Sequence, residues 1–591
     1  MEAFPAVPDE EYTPSIEEDP ALGLSHREKM EILFAVMLGL FLGALDQTIV
    51  GPALPTIVTQ LSGNDYYVWA VTIYLLTSTI SVPFWGKLSD LYGRKPIFMI
   101  GIVIFLVGSA LSGLSQNMGM LILFRGIQGV GAGSLFPVAL AIIGDMFTPQ
   151  ERGKYQGLFG AVFGVAFVVG PLVGGFLTEQ VSWHWIFYVN IPIGIVSLVV
   201  IQRLLPTVKT PRATRNFDIL GGVIFTIAIT MLLIGLTNKG LVDAATKQLH
   251  DWTDPSVGGL ILAGLIGIAL FVFAEARAKE PIIPLGLFRN RTYTSSMVSS
   301  FFAAFAFFGA IVFLPRWFQV VHDFSPTYSG LAALPLVIGL IFSSIVSGLV
   351  VARTGRYKWM LVGAIALMGF STLLMTQLTA DTPLAVVWFW MFLAGLGVGP
   401  TFSVFTIVVQ NAVPFNVLGV ATSNLTFFRQ IGGTVALSFV GTIFATSFQE
   451  QFPKQLVSAG VPPNVLQDFQ KAIQAGLIDF NVLTGVGGVG KIIVGIVPST
   501  APVIDAVVHA RDLAFSLAVS ETFWLGVAGS VVAALAAAMM HEHALRTSNS
   551  QATAHELASA AAQPASAGGS RPVPSADGPA AAVSSTDRPT A

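Results

Sequence analysis

Cysteine and charge are what this chain of 591 residues has least of. It contains no cysteine, which excludes disulfides and thiolate metal sites. Charged residues make up 11% of the chain, against about 25% in soluble proteins, so the chain is not mainly a soluble domain. The net charge of −3 gives no basis for a nucleic-acid partner, and the eight histidines form no metal-binding pattern. Hydrophobic residues make up 53% and the mean hydropathy is +0.73, which indicates a membrane protein with many spanning helices.

The apolar residues fall into fourteen segments, each long enough for the roughly 20 helical residues that span a bilayer. The segments lie at 31–58, 67–86, 96–114, 119–144, 155–178, 184–202, 218–237, 257–275, 294–320, 327–351, 359–378, 385–410, 418–447 and 513–540. An even number of spans places both termini on one side. Most of the 30 Lys and Arg residues fall in parts that an inside N-terminus places in the cytoplasm, as the positive-inside rule requires. We therefore expect a multi-pass plasma (inner) membrane protein with cytoplasmic N- and C-termini.

Two similar loops indicate a repeat of six helices. The loops at 86–95 and 348–358 each contain a glycine, a short spacer, a Gly-Arg pair and a lysine. Such loops are expected at matching positions in transporters built from parallel repeats. The predicted domains are an acidic cytoplasmic tail at 1–30, a six-helix bundle at 31–202, a two-helix insertion at 203–292, a second six-helix bundle at 293–541 with a long extracytoplasmic loop at 449–512, and a disordered cytoplasmic tail at 542–591.

Asp46 lies deep in the first apolar segment, where a carboxylate is costly unless it faces a cavity or a partner. Desolvation disfavours the charged form of a carboxyl group, so such a residue can take up and release protons. Arg125, in the fourth segment, equally needs a carboxylate or carbonyl partner. Asp46 is therefore the first candidate for the working residue of a transporter. The candidate cavity residues are Tyr74, Gln128, Arg429 and Glu521.

One segment imitates a nucleotide-binding loop. Residues 485–491 have the glycines and the lysine of the P-loop pattern, but Ile492 stands where Ser or Thr is needed to bind magnesium. We therefore expect no nucleotide binding and no transport driven by ATP.

Six short motifs follow one another along the chain. They occupy residues 45–50, 86–95, 125–133, 170–175, 182–192 and 428–433. In sequence and order they resemble the motifs of the major facilitator superfamily, and in particular those of its fourteen-helix drug:proton antiporters of the QacA/EmrB type. The visible departure is Ala166, where the fifth-helix motif usually has glycine. The resemblance covers roughly residues 30–540.

The resemblance implies an all-α membrane protein with the major facilitator fold, in which two six-helix bundles and two inserted helices give 14 transmembrane helices. It implies a proton-coupled multidrug efflux antiporter, not an enzyme, that exports amphipathic or cationic small molecules across the plasma membrane by alternating access. The proton gradient would supply the energy without a cofactor. The protein is expected to be a monomer whose partners are its substrates, protons and the lipid bilayer.

The resemblance also assigns roles to residues. Asp46 and Arg125 would couple transport to protons. A conformational latch would consist of Gly86, Asp90, Gly93, Arg94 and Asp145, and an antiporter hinge of Gly170, Pro171, Gly174 and Gly175. From the residues alone, the latch loop fits a solvated positive loop equally, and the glycines fit close helix packing.

Two other functions stay open at this level. An exporter of a lipid, metabolite or siderophore would use the loop at 449–512 for delivery. A membrane sensor that no longer transports is the second alternative, and the joint presence of Asp46, Asp90, Arg94 and Arg125 argues against it.

Overall fold

A computed structural model describes residues 24–61, 69–206, 217–239, 250–475, 477–478, 480–485, 489–542 and 544–545. Throughout these residues the regular secondary structure is helical, with no strand. Lipid offers the backbone no hydrogen-bond partners, and a helix satisfies its backbone internally. Each of the fourteen predicted segments contains a helix.

The first half of the chain forms seven of these helices. They are α1 (His26–Gln60), α2 (Trp69–Tyr92), α3 (Arg94–Ser112), α4 (Met118–Met146), α5 (Pro149–Gln180), α6 (Trp185–Tyr188) and α7 (Asn190–Leu204). Local signals set several of their starts. Ser25 and Glu28 form a capping box at α1, and the Asn117 side chain caps α4.

Next along the chain come the two inserted helices, α8 (Ile219–Lys239) and α9 (Leu260–Glu275), which precede the second six-helix half. The remaining helices are α10 (Arg291–Val321), α11 (Pro326–Ala332), α12 (Leu334–Thr354), α13 (Lys358–Met375), α14 (Leu384–Ala412), α15 (Leu418–Ser458), α16 (Pro463–Gln474), α17 (Phe480–Leu483), α18 (Val489–Ile496) and α19 (Ile504–Ala538). The helices α8 and α9 pack on each other, and α8 touches α2 and α15, so the insertion lies beside both halves.

By length and composition, 13 helical stretches in the described residues could cross a membrane. The helix α2 is not among them, because its run of serine and threonine lowers its hydropathy. Its 24 residues nonetheless extend about 36 Å, enough for a hydrocarbon core of about 30 Å. The fourteenth span, at α2, stays a prediction.

The two halves repeat one packing pattern. In the first half, α1 packs on α5 and α7, and α4 packs on α2 and α3. In the second half, α10 packs on α15 and α19, and α14 packs on α12 and α13. The halves meet where α5 lies against α12 and where α2 lies against α15. This arrangement confirms the predicted fold of two six-helix bundles with two inserted helices.

Several predicted boundaries need correction. The helix α1 begins at His26, inside the predicted tail at 1–30, because its capping box starts it there. The loop predicted at 449–512 is shorter, since α15 continues to Ser458 and α19 already begins at Ile504. Residues 1–23, most of the tail predicted at 542–591 and part of the P-loop-like segment lie outside the described residues.

Candidate functional site

Asp46 lies in the middle of α1 and its side chain is fully buried, with 0% exposure. Its Oδ2 accepts a hydrogen bond from Nη1 of Arg125 at 2.6 Å, which also makes the two an ion pair. Its Oδ1 accepts from Nε2 of Gln128 at 2.7 Å and from Nδ2 of Asn190 at 3.3 Å. Three donors from α4 and α7 therefore converge on one carboxylate in α1.

The donors are themselves held in place. Arg125 and Gln128 are three residues apart on α4 and so share one helix face, and Nη1 of Arg125 donates to Oε1 of Gln128 at 2.9 Å. The guanidinium lies 4.1 Å from the ring centroid of Tyr74, on α2, in a cation–π contact. Nδ2 of Asn190 also donates to Oγ of Ser109, on α3, at 3.1 Å. Five helices of the first half thus contribute to one buried polar cluster.

The cluster contains two opposite charges, those of Asp46 and Arg125. With Asp46 ionised, its carboxylate and the Arg125 guanidinium compensate each other in a water-poor interior. Breaking a buried pair by neutralising one member is strongly unfavourable, because it leaves the other charge unpaired. Removing the charge of either residue would therefore destabilise the cluster.

The helix α5 crosses α1 right beside Asp46. A Cβ at Gly170 would overlap the Thr48 side chain, and one at Gly174 would overlap the backbone oxygen of Ile49. Oγ1 of Thr48 also donates to the backbone oxygen of Ala166 at 2.9 Å. The two helices approach this closely because α5 carries glycine at the crossing.

The other two predicted hinge residues face the second half. A Cβ at Gly330 of α11 would lie 3.2 Å from the Pro171 side chain, and a Cβ at Gly175 would lie 3.0 Å from Oγ1 of Thr327. The helix α5 therefore touches α1 at the acid and α11 across the boundary between the halves. The hinge role of these four residues stays a prediction.

Asp90, near the end of α2, caps a helix of the other half. Its Oδ1 accepts a hydrogen bond from the backbone N–H of Gly419 at 3.0 Å and its Oδ2 from that of Val420 at 2.8 Å. These are the second and third residues of α15, whose own N-cap residue, Val417, has no side-chain acceptor. A carboxylate at a helix N-terminus is favoured both by hydrogen bonding and by the helix dipole.

Arg94 organises the rest of the predicted latch. It forms ion pairs with Asp90 and with Asp145 at the end of α4, the second with Nε and Oδ2 2.9 Å apart. Gly93 precedes it with a φ of 95°, which a residue with a side chain rarely adopts. The structure therefore brings these predicted latch residues together, while their role as a latch stays a prediction.

Gly86 of α2 and Gly348 of α12 occupy equivalent positions in the two halves. A Cβ at Gly86 would overlap Ser423 of α15, and a Cβ at Gly348 would overlap the backbone oxygen of Gly153 of α5. The two similar loops seen in the sequence thus follow two equivalent close contacts between the halves.

The equivalence fails at the acid. Four residues after Gly348 stands Ala352, where the first loop has Asp90. The helix α5 needs no partner there, because Thr148 and Glu151 form its own capping box. One contact between the halves is charged, and its counterpart is apolar.

A second polar tie joins the halves. Gln410 of α14 accepts a hydrogen bond from Nε2 of Gln156 of α5 at 2.8 Å. Its own Nε2 donates to the backbone oxygen of Leu140 of α4 at 3.0 Å and to Oγ1 of Thr422 of α15 at 3.3 Å. Both glutamines are buried, so this tie is shielded from water. It lies on the same side as the Asp90 contact, which we call the N-terminal face because α1 begins there.

Two candidate cavity residues lie apart from Asp46. Arg429 is partly exposed, donates from Nη2 to the backbone oxygen of Thr401 at 2.9 Å, and lies 4.3 Å from the ring centroid of Phe402. Glu521 is exposed on α19 and accepts a hydrogen bond from Gln451 at 3.4 Å. The structure brings Glu521 to neither Asp46 nor Arg429, whereas Tyr74 and Gln128 both belong to the Asp46 cluster.

Four residues of these sites were not singled out from the sequence: Asn190, Ser109, Gln156 and Gln410. Each is a polar side chain, and each is buried. Buried polar groups need hydrogen-bond partners, so such residues could have been taken as markers of contacts between helices.

A family model described as the Major Facilitator Superfamily matches residues 36–437. The chain belongs to this superfamily. The multidrug transporter protein MdtP of Bacillus subtilis (strain 168) is 39% identical over 412 residues, which cover 70% of this chain and 74% of that protein. Multidrug resistance protein 3 of the same organism is 34% identical over 451 residues, which cover 75% and 86%. Membership makes the chain a multi-pass membrane transporter of small molecules.

Solved structures share the fold at low identity. A bacterial homolog of the human lysosomal transporter Spinster has a TM-score of 0.54 and 16% identity, covering 89% of this chain and 100% of that one. The proton:xylose symporter XylE has a TM-score of 0.54 and 12% identity, covering 87% and 95%. At these identities the likeness concerns the fold alone.

Proposed function

We propose that the chain is a proton-coupled multidrug efflux antiporter that exports amphipathic small molecules. The buried Asp46–Arg125 pair carries the proposal, because it places an acid and its counter-charge in the interior of one transporter half. Two relatives whose names refer to multidrug transport or resistance support the substrate class. In the same proposal the protein acts as a monomer without a cofactor or catalytic step, and the N-terminal face and both termini lie in the cytoplasm at the plasma membrane.

The proposed cycle exchanges a proton for substrate. With the N-terminal face open, substrate enters a cavity near the midplane and Asp46 gives up its proton. After the halves rock, substrate leaves on the opposite side and Asp46 is protonated again. Inward movement of the proton supplies about 2.3 kcal/mol per 100 mV of membrane potential.

The contacts of α5 connect the region around Asp46 with the boundary between the halves. A change at Asp46 alters α1 next to its crossing with α5, at Gly170 and Gly174. The helix α5 in turn lies against α12 and α11 of the second half. Because α5 belongs to both contacts, a shift of α1 against α5 also acts on the boundary between the halves.

The test is the variant Asp46→Asn in proteoliposomes. We expect it to fold and to lose export driven by a proton gradient, because the amide cannot carry the proton. Efflux of fluorescent dyes and proton movement are measured together, so that coupling is read directly. Asp381→Asn, in the exposed turn between α13 and α14, is the matched control and should retain both activities. Full proton-driven export by Asp46→Asn would reject the proposal.

A further inference from the structure

A row of four aromatic rings connects the two halves, and we call it the aromatic bridge. Phe136 of α4 stacks on Phe163 of α5 with centroids 4.8 Å apart. Phe163 lies 5.3 Å from Phe402 of α14, and Phe402 lies 5.6 Å from Phe307 of α10. The row starts beside α1, where a Cβ at Gly43 would be 3.2 Å from Phe136. It therefore runs from the neighbourhood of Asp46 into the second half.

Arg429 lies at the second-half end of this bridge. Its guanidinium lies near the ring of Phe402, and one nitrogen donates to the backbone oxygen of Thr401. A guanidinium carries five N–H donors, so most of its donors are not used by this bond. None of the ion pairs among the described residues includes Arg429.

The charges around the bridge are therefore unequal. In the first half, Asp46 and Arg125 compensate each other. In the second half, the charge of Arg429 has no carboxylate counterpart among the described residues, although an unpaired arginine inside a membrane bundle is costly. The residue is also partly exposed, so its free donors are reachable. The uncompensated charge beside the bridge is therefore the positive charge of Arg429, which favours an anionic ligand.

We propose that Arg429 and the aromatic bridge bind aromatic anions, so that the exported compounds include those with a carboxylate on an aromatic body. A guanidinium binds a carboxylate through two parallel hydrogen bonds, and the partly exposed ring of Phe163, beside the largely buried rings of Phe402 and Phe307, offers aromatic surface to a planar substrate. This rests on the proposed export function and narrows its substrates, which the family resemblance gave as amphipathic or cationic.

Calorimetric titration of the full chain in lipid nanodiscs tests the inference without requiring transport. The probes are 2-naphthoate and 2-naphthylmethylammonium, which share a ring system and carry opposite charge. We expect the wild-type chain to bind the carboxylate at least tenfold more tightly. Arg429→Gln should lower carboxylate affinity at least tenfold and leave the ammonium unchanged, whereas Arg429→Lys should retain part of the preference.

Arg277→Gln is the matched control, because Arg277 also lies over a phenylalanine ring, that of Phe273, but is exposed in the turn that follows α9. It should leave both affinities unchanged. Phe402→Leu should weaken the binding of both ions, since it removes a ring contact and keeps the charge of Arg429. The inference would be overturned if the wild type bound the two ions with equal affinity or did not bind the carboxylate. It would also be overturned if Arg429→Gln lowered the affinity for both ions equally. Carboxylate binding through Arg429 in a chain without proton-driven export would refute the antiport mechanism only.

Discussion

Gln128 touches both members of the buried ion pair. Its amide nitrogen donates to Asp46 and its amide oxygen accepts from Arg125. We expect Gln128→Leu to lower the stability of the protein by about 1–3 kcal/mol, the usual cost of leaving a buried polar group unsatisfied. Export should fall with it, because the carboxylate is no longer held in one orientation.

Thermal unfolding in detergent and proton-driven efflux measure these two effects. Gln377→Leu is the control, since Gln377 is exposed after the end of α13. It should change neither quantity. A Gln128→Leu protein as stable and as active as the wild type would show that the contact between Gln128 and Asp46 is dispensable.

The Asp46 cluster also shows where prediction from sequence reaches its limit. Asp46, Arg125 and Gln128 could be identified because charge or an amide in an apolar helix is costly and therefore rare. Asn190 lies in the motif at 182–192 but was not predicted to contact Asp46, because its distance from α1 along the chain hides the contact. Periodicity places a residue on a helix face, but only the packing of α1 against α7 determines which faces meet.

Among whole elements, α15 depends on a cap from another half. Asp90 supplies the acceptor that Val417 lacks. We expect Asp90→Ala to destabilise the closed N-terminal face by about 1–2 kcal/mol, the cost of a lost N-cap, and so to raise the open population about five- to thirtyfold. Because the chain has no cysteine, spin labels at Arg203→Cys and Arg356→Cys, both exposed, can report the distance between the halves.

A second substitution separates a cap from a latch. Val417→Asp places an acceptor on α15 itself, which should restore the start of the helix without joining it to α2. The double variant Asp90→Ala with Val417→Asp is therefore expected to regain thermal stability while its N-terminal face stays open. Closure restored together with stability would mean that Asp90 serves only as a cap.

The limits of sequence reading are different for elements. Apolar length located all fourteen helical segments, because each must bury its backbone in lipid. It missed that α15 extends to Ser458 and α19 begins at Ile504, since these ends leave the apolar pattern and are stabilised by packing. Phe452 and Leu456, for example, are buried in the core of the second half.

At the scale of the whole molecule, the contacts described between the halves on the N-terminal face include two kinds. Gly86 and Gly348 lie at close helix contacts, and polar side chains form hydrogen bonds between the halves at Asp90 and at Gln410. The Asp90 tie is charged and lies where α2 meets α15. The tie between Gln156 and Gln410 is neutral and buried. A neutral tie costs less to separate in each cycle than a buried charge, which suits contacts that must open and close.

The glutamine tie gives the last prediction. Gln410→Leu removes three hydrogen bonds between helices and leaves Gln156 with a buried amide that has lost its acceptor. We expect the open population of the N-terminal face to rise five- to thirtyfold, as about 1–2 kcal/mol requires. The label pair at Arg203 and Arg356 measures it. The double variant with Gln156→Leu should recover part of the closed population, because neither partner is then left unsatisfied. Additive effects of the two substitutions would show that the glutamines act independently, and that the halves are held together by the glycine contacts and the Asp90 cap.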